Sequence, residues 1–156
     1  MQNKETKKTK LVPKSLLWVG PLVVFALLIL TVGVLHNNKY KLVTINNRQL
    51  QLEKVSKQKD LEKGLSGKNS LPQQAGMLFD FGSMGDWKIW MKDMKFPIDI
   101  LWLDDKGKVV YIKQNALPES YPEIFSTDSK SRYVIELSHG SASRLNIDND
   151  TQIYIK

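Results

Sequence analysis

The hydrophobic positions divide the chain into two unlike parts. Residues 16–35, LLWVGPLVVFALLILTVGVL, carry no charged side chain. A helix of that length rises about 30 Å, enough to cross the hydrocarbon layer of a bilayer. Inside lipid every backbone amide must be paired, so the run is expected to be helical despite Pro21, whose place near one end limits the damage. Trp18 stands where an interfacial aromatic belongs. Beyond residue 39 the pattern changes to short runs with a period of two. "LVTI" and "RQLQLEKV" read as strands around the turn residues Asn46-Asn47, with Leu50 and Leu52 alternating against Gln51 and Glu53. "SKQKDLEKGL" reads as a helix capped by Ser56, with Leu61 and Leu65 on one side, ended by Gly64 and Gly67.

Further along, "GMLFDF", "WKIWM", "IDILWL", "KVVYIK", "RYVIEL" and "TQIYI" read as strands, and "SASRL" as a helical turn. "DDKG" turns the chain back between the third and fourth of these as a hairpin. Residues 114–129 read as a long polar loop with two prolines. The pattern predicts an α+β, β-rich fold: a compact curled sheet or barrel-like domain with short helices, behind one N-terminal transmembrane helix. The expected divisions are a basic tail at 1–15, a span at 16–35, a linker and first short strand at 36–47, and an outer domain at 48–156.

Charge fixes the expected orientation. Lys4, Lys7, Lys8, Lys10 and Lys14 precede the apolar run against one acid, Glu5, while Lys39 and Lys41 are the nearest cations after it. This bias favours a cytoplasmic N-terminus and an extracytoplasmic C-terminal domain. Thr31 and Gly33 are small enough for a signal-peptide cleavage site, but the run exceeds the usual apolar core of about 7–15 residues, so an uncleaved anchor is expected. The formal charge is +7, and the tail contributes most of it. From residue 36 onward 18 basic residues face 15 acidic ones, interspersed rather than clustered, which gives no reason to expect a nucleic-acid partner. There is no cysteine, which excludes disulfides, thiolate metal sites and thiol nucleophiles. His36 and His139 are far apart in sequence, so no metal site and no cofactor is expected.

Three motifs in order carry a family resemblance. Gly64-Leu65 is followed by Gly76-Met77-Leu78-Phe79, then by Trp90-Met91-Lys92-Asp93 with Pro97 and Asp99, then by Glu136-Leu137 with Gly140-Ser141-Ala142. Over roughly residues 48–156 the chain resembles the domain-of-unknown-function family 192, small prokaryotic domains, often exported, with no assigned activity. Ser66 stands where the family commonly has Met, Asn149-Asp150 where it often has Gly-Asp, and the loop at 114–129 lacks the cysteines of many members. The resemblance implies a fold and leaves the chemistry open.

The candidate ligand-binding residues are Trp90, Lys92, Asp93, Asp99, Arg132 and Glu136; no catalytic residue is assigned. In "IDILWL", Ile98, Ile100 and Trp102 point to one face and Asp99, Leu101 and Leu103 to the other, so Asp99 is expected to be buried and to need donors. Its structural reading is a carboxylate that accepts backbone amides or pairs with Lys92 or Arg132; its functional reading is a ligand-binding or general acid/base group. Trp90 and Met91 read by default as core, and Lys92 as solvated surface. Glu136 interrupts an apolar strand and reads as solvent-facing or paired with Arg132. The leading expectation is a membrane-tethered binding or interaction domain, its site on the rim formed by 114–129 and the central motif, contacting the bilayer through 16–35 and an envelope glycan or protein outside. One alternative is a small hydrolase of cell-envelope glycan using Asp99 with Glu136. Another is a structural subunit of a membrane complex. The outer domain by itself is expected to be a soluble monomer, with no oligomeric contact specified.

Overall fold

The computed structural model describes residues 19–156, and the chain divides into two units, Met1–Asn37 and Asn38–Lys156. The basic tail, Trp18 and the first part of the expected 16–35 span lie outside the described residues. Helix α1 (Val19–Lys39) exposes the side chains of residues 21–30, among them Leu22, Phe25 and Leu30. Its last turn, His36-Asn37-Asn38-Lys39, is polar. Among the described residues no helix is long and apolar enough to cross a membrane. At the expected linker from residue 36, α1 runs to Lys39 and the first strand begins at Tyr40.

The second unit is built on nine strands: β1 (Tyr40–Ile45), β2 (Arg48–Val55), β3 (Ala75–Gly85), β4 (Ile89–Trp90), β5 (Ile98–Leu103), β6 (Val109–Ala116), β7 (Ile124–Phe125), β8 (Ser131–Ser138) and β9 (Ile153–Ile155). Helices α2 (Gln58–Lys63) and α3 (Ser141–Arg144) are short. Seven strands form one sheet in the order β6-β5-β8-β3-β2-β1-β9, and β4 pairs with β7 in a small second sheet. The large sheet curls until its ends touch. Lys108 bridges Gln152, the Val109 amide donates to Thr151 O (3.0 Å), and the Ile153 amide donates to Gly107 O (2.9 Å). The β1–β2 hairpin turns on Asn46 and Asn47, both at positive φ (44° and 64°), a conformation that Asn tolerates better than most residues.

Both faces of the sheet are covered. One face packs Val43, Leu52, Leu78, Leu101, Ile135 and Leu137 into an inner core. The other packs Met77, Phe79, Ile100, Trp102 and Val134 beneath the small sheet and the segments around it. β5 is buried at all six positions, as a strand apolar on both sides must be.

Several local expectations are corrected. The helix after β2 starts at Gln58, with Lys57 rather than Ser56 as its cap and no side-chain cap bond. "WKIWM" gives only the two-residue β4. The loop at 114–129 contains the end of β6, a 3-10 turn at Pro118–Ser120 and β7. Its apolar pair Ile124-Phe125 finds a partner in Ile89-Trp90, a distant pairing that local pattern does not encode.

Candidate cleft over the outer face of the sheet

A cleft of about 280 Å³ opens over the second core. Its floor comes from β3 and β8, where Phe79, Phe81 and Glu136 project from the same face. One wall is α2 and the turn after it, through Leu61, Gly64, Leu65 and Ser66; the other is residues 87–90 with Met94. Phe81 and Trp87 stack at 4.1 Å between centroids, with ring planes 7° apart. Trp87 is held in place from three sides. Its indole Nε1 donates to Ser83 O (3.2 Å), and its carbonyl accepts from Trp102 Nε1 (2.9 Å). A Cβ on Gly85 would come within 2.9 Å of the ring, so this fold-back needs glycine there.

The walls are tied to each other through their backbones. Ser66 Oγ donates to Lys92 O (2.8 Å), and the Gly67 amide donates to Asp93 O (3.0 Å). Gly64 ends α2 at φ +49°, and a Cβ there would stand 3.2 Å from the Phe79 ring and 3.9 Å from Glu136 Oε2. The Gly64-Leu65, Gly-Met-Leu-Phe, Trp-Met-Lys and Glu-Leu segments therefore all meet at this cleft.

Glu136 is its unusual member. The residue is 5% exposed, and its Oε2 is enclosed with no hydrogen-bond partner. Burial pushes the carboxyl up to about 8, because an unpaired charge in an apolar surround is costly. The group therefore holds its proton near neutral pH. Glu62, Lys63 and Lys88 are the charged residues at the rim, all exposed.

The six sequence candidates separate. Trp90, 45% exposed, and Glu136 line the cleft; core packing for Trp90 and a solvent-facing Glu136 are both corrected. Lys92 and Asp93 have exposed side chains and support the site through their carbonyls, with Asp93 at φ +56°. Arg132 pairs with neither Asp99 nor Glu136: its Nε donates to Asp80 Oδ1 (3.4 Å), and its guanidinium lies over the Tyr133 ring at 4.9 Å. Asp99 is 1% exposed and belongs to the inner face. Its Oδ1 accepts the Asn115 amide (3.0 Å) and its Oδ2 the Ala142 amide (2.9 Å).

In register, Asp99 faces Leu137 and Glu136 faces Ile100, so the two acids project to opposite sides of one sheet and cannot share a substrate. The expected rim also shifts, since the lining comes from residues 58–66, 79–94 and 136 rather than from 114–129. Phe79, Phe81, Trp87 and Met94 escaped the sequence reading. Phe79 and Phe81 carried a signal, because both continue the face of Met77. Among the described residues no three of His, Cys, Asp or Glu gather closely enough to hold a metal ion.

The profile of the family DUF192, described as "Uncharacterized ACR", matches residues 41–155. No curated relative matches the chain. A crystal structure from Sinorhizobium meliloti, provisionally described as a transcription regulator, is similar at 30% identity and a TM-score of 0.68, covering 74% of this chain and 91% of that one. A protein of unknown function from Novosphingobium aromaticivorans shares the fold at 23% identity and a TM-score of 0.66, covering 74% of this chain and 83% of its own.

Proposed function

From the premise that this chain belongs to the domain-of-unknown-function family 192, we infer that its outer domain is a binding module held at a membrane, with the aromatic cleft as its ligand site. The observation that carries the binding reading is a buried, unpartnered carboxyl on the floor of a cleft walled by Phe79, Phe81, Trp87 and Met94. An isolated buried acid destabilises the free domain, and a ligand that supplies its partner recovers that cost on binding. The membrane reading rests on the uncharged run at 16–35 and the lysine bias across it, with a bilayer on one side of the anchor and an envelope component as the partner outside. The role in the description of the Sinorhizobium relative is not one that the build of the outer domain suggests. The helices of the outer domain have six and four residues, and its cations are interspersed with acids.

The binding reading is tested on the full chain in lipid nanodiscs with fluorotryptophan labels and a set of small organic fragments. Saturable shifts at Trp87 and Trp90, with Trp18 unmoved, are the expected result; no saturable shift at either cleft residue refutes it. The topology is tested on intact cells, where external protease should remove the outer domain and leave the N-terminal segment protected. A mature chain beginning near residue 34 would refute the anchor.

A second reading, hydrolysis of envelope glycan, is favoured by one observation: Glu62 and the proton-holding Glu136 both line the cleft. An acid that holds its proton, together with a second carboxyl, is the pair that glycoside cleavage requires. Glu62 is exposed and accepts a hydrogen bond from Gln58 Nε2 (2.8 Å), so it is the base in this reading. Release of soluble glycan from peptidoglycan that is abolished by both Glu62→Gln and Glu136→Gln would establish it, and no release by the wild type would end it.

A further inference from the structure

We propose that the ligand of this cleft is a small organic cation, an alkyl-substituted ammonium group that pairs with the Glu136 carboxylate and lies against Phe79, Phe81, Trp87 and Met94. The inference rests on the binding reading above and names the ligand class. Two independent features of the lining lead to it. The first is Glu136 itself, more than nine-tenths buried, with Oε2 unpartnered beside the bare Cα of Gly64. A cation held against the buried carboxylate offsets the cost of ionising the acid, which a neutral ligand does not. The second is the wall. Phe79, Phe81, Trp87 and the exposed Trp90 surround the site with aromatic carbon, whose quadrupoles attract cations and repel anions. Met94 adds a polarisable, apolar contact for methyl groups. The cleft's volume of about 280 Å³ lies near the small end for ligand sites, about 300 Å³ and upward.

Free Glu136 is a neutral carboxylic acid near pH 7; in the complex it is a carboxylate beside a cation, so its O–H bond breaks and one proton passes to the buffer. The other charged groups facing the cleft are Glu62 and Lys63 from α2 and Lys88 from the segment before β4. All three are exposed, so their fields are screened by water and salt. Affinity for a permanent cation therefore rises with pH up to about 8 and levels off above that, where Glu136 is already ionised.

The test is isothermal titration calorimetry on the full chain in nanodiscs. The probe is choline, whose quaternary nitrogen has no proton to lose, and the control is dimethylbutanol, in which carbon replaces that nitrogen. Each is titrated at neutral pH in two buffers of different ionisation heat. The expected result is choline binding at least ~10-fold tighter than the control, with about one proton released per ligand. In Glu136→Gln, choline is expected to bind ~10-fold or more weakly and to release no proton. Trp87→Ala is expected to weaken choline while leaving the proton release in place. If dimethylbutanol binds as well as choline, or choline binds with no proton release, the cation assignment is overturned while the binding cleft stands. If neither compound binds and the organic fragments also leave Trp87 and Trp90 unshifted, both readings are overturned.

Discussion

Asp99 on β5 and Glu136 on β8 are near neighbours across one strand pair, and the pleat of the sheet sends them to opposite faces. Both are buried. Asp99 meets two backbone amides, one from the end of β6 and one from α3, each within 3.0 Å. Glu136 lines a cleft with aromatic residues and meets no donor, and its carboxyl rises to about 8. Burial alone therefore does not distinguish a structural acid from a functional one. The distinguishing feature is whether the fold supplies the partner or leaves it to be supplied.

The largest effect should come from removing the satisfied acid. Asp99→Leu leaves two buried amides without an acceptor and should cost about 4 kcal/mol, Asp99→Ala about 3, and Asp99→Asn about 1–2 because one acceptor oxygen survives. Equilibrium denaturation of the full chain gives the ranking directly; three midpoints equal to the wild type's would mean the carboxylate holds nothing together.

Glu136 should show the opposite behaviour. Its folded pKa lies above the ordinary 4.5, so between those values the folded chain keeps a proton that the unfolded chain has lost. Stability present below pH 4.5 is then lost as pH rises toward 8, by an amount on the order of 4 kcal/mol. Glu136→Gln should flatten this slope and be at least as stable as the wild type at pH 8. An unchanged slope in the variant would assign the dependence to another group.

Asp80 sharpens the contrast from the acid side. Burial pulls its carboxyl upward, but Lys54 at 2.8 Å, the Gly82 amide and Arg132 outweigh that and hold it below its ordinary 3.8. Its contribution is present above pH 3.8 and is lost as pH falls through the lower folded value. Asp80→Asn should cost about 1 kcal/mol at neutral pH and progressively less as pH falls below 3.8, read from thermal midpoints across that range. The smallest effect on stability belongs to Trp90→Ala, expected within ~0.5 kcal/mol because the ring is already half in water. The same variant should weaken ligand binding, and a large loss of stability would instead return Trp90 to the core.

Much of the inner face was legible in the sequence. β2 follows its alternation from Arg48 to Val55, the Asn46-Asn47 turn lies where two residues tolerant of positive φ occur together, and the facing of "IDILWL" placed Asp99 among apolar neighbours that demand donors. The cleft was harder to read. The same argument applied to "YVIEL" would have buried Glu136, since Val134 and Ile135 are apolar on alternate faces and so require cover on both. Nothing local told that strand what its cover was. The cover comes from α2, β4 and Trp87, brought together by pairings such as Trp90 with Ile124, which depend on the fold as a whole.

The closure of the large sheet has a consequence for the order in which the chain can mature. β1 is the first strand to emerge from the ribosome, yet its outer neighbour is β9, with Val43 opposite Ile155 and Ile45 opposite Ile153. The hairpin β1–β2 can form early, but both margins of the growing sheet stay open until residue 155 has been synthesised and released. Throughout that interval the hydrogen-bonding edge of β1 is a template for any other strand. The domain thus depends on its last segment as a latch, and a nascent chain stalled short of residue 153 would remain an adhesive, unfinished sheet.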